Sequence, residues 1–89
     1  MKRQVVIFRT LANINRLKII NMLSGNSKMN VGDIAQALRI SLKATSNHLA
    51  MLKNLDVLES LGSNGHVYYS LSKNIPNDFN KVLNCFKYR

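Results

Sequence analysis

Apolar residues recur along the chain in two distinct periods. Over residues 4–12, Val5, Val6, Phe8 and Leu11 are spaced as on one side of an amphipathic helix, with Arg9 among them. Asn13 is a good helix-capping residue. After it Ile14, Leu17, Ile20 and Leu23 return at helical intervals, with Arg16 and Lys18 turned elsewhere. Gly25 and Asn26 are residues that end a helix. Asn30, with Asp33 three residues later, opens a third helix whose inner face is Ile34, Ala35 and Leu38. Arg39 and Ile40 form a tight turn. Ser41 then caps a fourth helix, running to about residue 54, with Thr45, Leu49, Leu52 and part of His48 inward. The pattern turns β-rich over residues 57–61 and 66–71, joined by Gly62, Ser63, Asn64 and Gly65, a strong hairpin signal. Residues 74–76 open a last helix with Phe79, Val82, Leu83 and Phe86 as its stripe.

This order predicts a mainly α fold with a small β-hairpin (α+β), α-α-α-α-β-β-α, in a single domain over residues 1–89. Two short capped helices across a tight turn, with a hairpin directly after the second, form a winged helix-turn-helix. The outer face of the fourth helix is unusual. It carries Leu42, Lys43, Ser46 and Asn47, and no carboxylate falls between Ser41 and Leu55. Small hydrogen-bonding side chains without negative charge can lie against base edges without repulsion from phosphates.

Charge points the same way. Thirteen Lys and Arg against four Asp and Glu give a formal net charge of +9, which favours a polyanionic partner. No apolar run reaches the roughly 18 residues needed to cross a bilayer. Arg9 and Asn13 interrupt the apolar stretch after Met1, Lys2 and Arg3, and no small-residue cleavage site follows, so an export signal is not expected. One cysteine, Cys85, excludes an intramolecular disulfide and fits a reducing compartment. The expected location is the cytoplasm. No Gly-rich phosphate loop, metalloprotease motif or Ser/His/Asp set is present, so an enzyme is not expected.

Residues 11–71 resemble the ArsR-type (ArsR/SmtB) winged-helix repressors. Residues 11–20 are similar to that family's second-helix opening, with Asn13, Ile14 and Asn15 where Asp-Pro-Thr or similar is usual. Residues 40–49, including Ser41, Ser46, His48 and Leu49, resemble its recognition helix. Val67, Tyr68, Tyr69, Ser70 and Leu71 resemble its second wing strand. The resemblance implies dimeric binding to a palindromic operator, usually as a repressor released by a signal.

Three departures qualify that expectation. Metal-sensing members commonly carry Cys-x-Cys at the start of the third helix, where this chain reads Met29, Asn30, Val31 and Gly32. Others place Asp and His ligands on the last helix, where residues 77–89 offer only Asp78 and Cys85. Metal sites need several converging ligands, so no metal and no cofactor is expected, and the effector is not named by any motif. Of the two histidines, His48 reads as a packing residue and His66 as a wing residue facing phosphate. The wing is the second departure: residues 54–72 contain no Lys or Arg but do contain Asp56 and Glu59. The third is Asp56, where the family usually has Gly; Asp tolerates the left-handed conformation that ends such a helix.

The sequence therefore predicts a homodimer on double-stranded DNA, without a membrane partner. Phe8, Leu11, Phe79, Leu83 and Phe86 are the expected dimer interface, because one small domain does not cover them all. Ser46 and Asn47 are the expected base readers, and Lys43 reaches guanine or phosphate. Leu42 and Ala44 touch thymine methyl groups. Ser41 and Thr45 are more suited to capping and packing. Arg16, Lys18, Arg39 and Lys53 are phosphate contacts or solvated charges, and Ser63, Asn64 and His66 are the wing's contribution. Two alternatives stand beside this. Cys85 on its apolar stripe ordinarily reads as a small packing residue, but near a two-fold axis it would serve a thiol-switched regulator, with Lys81 and Lys87 favouring its thiolate. The uncharged wing would suit a winged-helix protein-interaction module.

Overall fold

The computed structural model describes residues 2–86. The first helix, α1 (Lys2–Leu11), buries Ile7, Thr10 and Leu11, one i, i+3, i+4 stripe. Asn13, in an extended conformation, starts α2 (Ile14–Met22) by accepting the Arg16 backbone N–H at 3.1 Å. Gly25 and Asn26, at φ 71° and 64°, reverse the chain. The two-residue strand β1 (Met29–Asn30) leads directly into α3 (Val31–Leu38), whose cap is Asn30, accepting from the Asp33 N–H at 2.8 Å.

The helix-turn-helix corner is a left-handed residue, Arg39 at φ 59°, whose N–H closes back on α3. Ser41 then caps α4 (Leu42–Asn54): its Oγ accepts the Ala44 N–H at 3.0 Å, and its carbonyl accepts the Thr45 hydroxyl at 2.8 Å. Asp56 takes φ 64° after α4, as its side chain permits. Strands β2 (Leu58–Ser63) and β3 (His66–Leu71) form the wing, turned by Asn64 and Gly65 at φ 53° and 80°. Two positive φ values in a two-residue loop match the twist of the flanking strands. The last helix, α5 (Asn77–Asn84), follows Pro76.

The predicted order holds, with a third strand added. The sheet runs β1-β3-β2, all antiparallel, with Met29 opposite Tyr69 and Asn30 opposite Tyr68. Two residues are too short to show a period of two, so β1 is visible only once β3 offers an edge. The hairpin loop is also tighter than the four residues expected. Gly62 and Ser63 belong to β2, opposite Val67 and His66.

The core forms where all five helices meet the sheet: Ile7, Leu11, Ile19, Ile20, Leu23, Ile34, Leu49, Leu52, Leu55, Val57, Leu58, Phe79 and Val82. Two expectations are corrected here. Leu11 and Phe79, assigned to a dimer interface, are 0% exposed; both are needed to close the protomer's own core. Ile14, assigned to the inner face of α2, is 63% exposed. The buried stripe of α2 passes instead through Arg16, Ile19 and Ile20.

Candidate nucleic-acid interface

The site is built on α4. Its core side is fixed by Thr45, Leu49 and Leu52, all buried. Residues on the opposite face must then point outward, and Leu42, Lys43, Ser46 and Asn47 are all exposed. Lys43, Ser46 and Asn47 are spaced i, i+3, i+4 and share one face. Ala44 is half-buried beside them. The exposed Ser41 uses its hydroxyl oxygen on the helix cap, so it holds the N-terminus of α4 in place.

The flanking groups are displayed around this face. Arg39 at the corner is exposed. Lys53 is exposed too, and its Nζ donates to Ser60 Oγ on β2 at 2.6 Å, tying the far end of α4 to the wing. An ammonium has three donors, so this bond leaves Lys53 able to meet a phosphate. Ser63, Asn64 and His66 stand exposed at the wing tip. The His66 ring lies 6.2 Å from that of Tyr68, tilted by 55°. Leu61 and Val67 on the wing are exposed large apolar residues. Glu59 accepts the Lys73 backbone N–H at 3.3 Å.

Arg16 departs most from expectation. The sequence pattern suggests a phosphate contact or a solvated charge, yet Arg16 is only 8% exposed. Its Nε donates to the Thr10 carbonyl at 2.6 Å and its Nη2 to the Arg9 carbonyl at 3.2 Å. These carbonyls lie at the end of α1, where helix oxygens lack intrahelical partners and a cation is favoured. Its Nη1 reaches α4, at 3.0 Å from His48 Nδ1 and 3.3 Å from Met51 Sδ. Burial lowers the Arg16 pKa from its ordinary value. Burial first, then the Arg16 charge, lowers that of His48.

The apolar residues left outside the core lie on α1 and α5. Val5, Val6 and Phe8 of α1 are exposed, Phe8 at 53%. Leu83 and Phe86 at the end of α5 are half-buried against the core. The two helices are pinned by Arg3, whose Nε donates to Asp78 Oδ2 at 2.6 Å. That hydrogen bond from Arg3 holds the Asp78 carboxyl below its ordinary range. Cys85 is exposed at the end of α5 rather than packed, with its thiol 3.5 Å from the Lys81 carbonyl. Lys87, the other cation expected near it, lies outside the described residues. Among the described residues, no group of three or more His, Cys, Asp and Glu is placed to hold a metal ion, and no helix is long and apolar enough to cross a membrane.

Comparison with known proteins adds to this geometry. The family model of bacterial regulatory proteins of the arsR family matches residues 13–60. The chain is 34% identical over 79 residues to the transcriptional repressor SdpR of Bacillus subtilis, covering 88% of this chain and 87% of that one. It is 40% identical over 80 residues to the cadmium resistance transcriptional regulatory protein CadC of Listeria innocua, covering 90% of this chain but 62% of the relative. Among solved structures, HlyU from Vibrio cholerae superposes with a TM-score of 0.73 at 27% identity, over 94% of this chain and 87% of that one.

Proposed function

The chain belongs to the ArsR family of bacterial regulatory proteins, and from that premise we propose that it is a homodimeric repressor of a palindromic operator. It is a DNA-binding transcriptional regulator and not an enzyme. The observation that carries the finer reading is the outer face of α4: Lys43, Ser46 and Asn47 exposed on one side of a helix fixed at both ends. Asn47 has the amide geometry to pair with the N6 and N7 positions of adenine, and the Ser46 hydroxyl can donate to or accept from a base edge. Lys43, Arg39 and Lys53 supply phosphate contacts, while the wing adds Ser63, Asn64 and His66 without a cation. Two copies joined through the exposed faces of α1 and α5 would set two α4 helices in major grooves about 34 Å apart.

The test is binding to random duplex DNA across a salt series, followed by selection of preferred sites from the bound pool. Steep salt dependence with an enriched palindrome supports the reading. Asn47→Ala is expected to relax preference at one base step by roughly 1–3 kcal/mol, while Lys43→Ala lowers the salt slope by about one unit. An unchanged base preference in Asn47→Ala would remove Asn47 as a reader.

A thiol-switched regulator is the second reading, favoured by the exposure of Cys85. Mild oxidation followed by non-reducing electrophoresis tests it. A covalent dimer supports the switch, and a persistent monomer band removes it.

A further inference from the structure

Arg16 joins three helices through one planar group. Its Nε and Nη2 hold the last carbonyls of α1, and its Nη1 holds His48 and Met51 of α4. His48 directly follows Asn47 in the chain, so its ring is carried by the same turn of α4 that displays Ser46 and Asn47. Whatever fixes the His48 ring therefore fixes the rotation of that turn against α1.

The bond has a chemical condition. A guanidinium carries donors and no acceptor, so His48 Nδ1 must present a lone pair, with the ring proton on Nε2. Protonation at Nδ1 would set an N–H against an N–H and one positive charge against another. Among the described residues no ion pair offsets that loss. The sole ion pair among the described residues is Arg3–Asp78, so no carboxylate pairs with His48. The elements around α4 bring Arg16 and Lys18 from α2, Asp33 from α3 and Glu59 from β2. Glu59 is engaged by the Lys73 backbone. The corner and the turn after α4 bring Arg39 and Asp56, and α4 itself brings Lys43 and Lys53.

We propose that Arg16 and His48 are positioning residues that hold the recognition helix against α1 only while His48 is neutral, so that affinity for DNA falls as His48 takes up a proton. The proposal rests on the DNA-binding reading of α4. The sign is distinctive. A histidine acting only through its charge would strengthen DNA binding on protonation, whereas this bridge weakens it. Burial and the Arg16 charge place the transition below the ordinary imidazole value of 6.5.

The experiment measures affinity of the full chain for a duplex taken from the selected pool, at fixed ionic strength, from about pH 7.5 to about pH 5. Three proteins are compared: wild type, His48→Asn and His66→Gln. The Asn amide oxygen takes the place of Nδ1 as acceptor and does not titrate. Wild type and His66→Gln are expected to lose roughly tenfold in affinity across the range. His48→Asn is expected to bind as wild type at the upper end and to show no such loss. Parallel profiles for wild type and His48→Asn overturn the proposal, as does an affinity that rises on acidification in wild type alone. A measurement without DNA separates the two readings. Backbone amide shifts of Ser46 and Asn47 in the free protein should follow the His48 titration in wild type and not in His48→Asn. If those shifts follow but DNA affinity does not, the bridge stands and α4 is not the DNA-reading element. Static shifts overturn the bridge itself.

Discussion

At the scale of single residues, what decides a side chain's role is whether its polar atoms find partners. Thr45 and Thr10 are both buried threonines on helices. Thr45 donates its hydroxyl to the Ser41 carbonyl. The Thr10 hydroxyl finds no partner among the described residues. A buried hydroxyl without a hydrogen bond costs stability, and a methyl group of the same shape avoids that cost. Thr10→Val is therefore expected to raise unfolding free energy by about 1 kcal/mol, read from the urea midpoint at constant slope. Lower stability would mean that the hydroxyl has a partner after all. Arg16 shows what sequence reading misses at this scale. Positions 16, 19, 20 and 23 follow i, i+3, i+4, i+7, so the true inner stripe of α2 was present in the spacing. The sequence places Ile14 and Leu17 beside Ile20 and Leu23 and turns Arg16 outward on account of its charge; Ile20 and Leu23 are buried, whereas Ile14 is exposed. Periodicity was right to within one turn, but the acceptors that make a buried guanidinium stable come from α1 and α4, which are distant in sequence.

At the scale of elements, caps and turns were the most legible features, because each depends on a few adjacent residues. Asn13, Asn30 and Ser41 all cap as their residue types predict, and Asp56 takes the left-handed conformation. Strand β1 was not legible, since its partner lies some 40 residues away on β3. The cap at Ser41 allows folding and DNA contact to be separated. Ser41→Ala removes an N-cap and is expected to lower stability by roughly 1 kcal/mol. Ser41→Asp keeps a capping oxygen and suits the helix dipole, so stability should stay near wild type. Yet Asp brings negative charge to the end of α4 proposed to approach phosphates. Its DNA affinity should fall while its thermal midpoint holds. If Ser41→Asp binds DNA as wild type does, the N-terminus of α4 does not lie near the backbone.

At the scale of the whole molecule, α1 has apolar residues on two sides, and the core uses only one of them. Ile7 and Leu11 close the protomer, whereas Val5, Val6 and Phe8 remain in solvent. A hydrophobic pattern records that both sides are apolar, but it does not say which one the protomer itself covers. For that reason the pattern suggests an interface role for Leu11 and Phe79, which the protomer itself buries. The exposed side of α1 is the stronger candidate for a second copy, because a small domain gains most by covering such a face. The wing adds a reason for pairing. With no Lys or Arg from Asn54 to Ser72, the phosphate contacts proposed for one protomer would fall mainly on its helices, and the proposed second protomer would double them. Phe8→Glu tests this. Phe8 is exposed in the protomer, so its replacement should leave helix content unchanged by circular dichroism. Sedimentation should show a monomer in place of the dimer proposed for wild type. The slope of log affinity against log salt should then drop to about half, because it counts the phosphates neutralised by one protomer instead of two. A Phe8→Glu protein that still sediments as a dimer would place the interface elsewhere. A monomeric variant that kept the full slope would show that one protomer makes all the phosphate contacts.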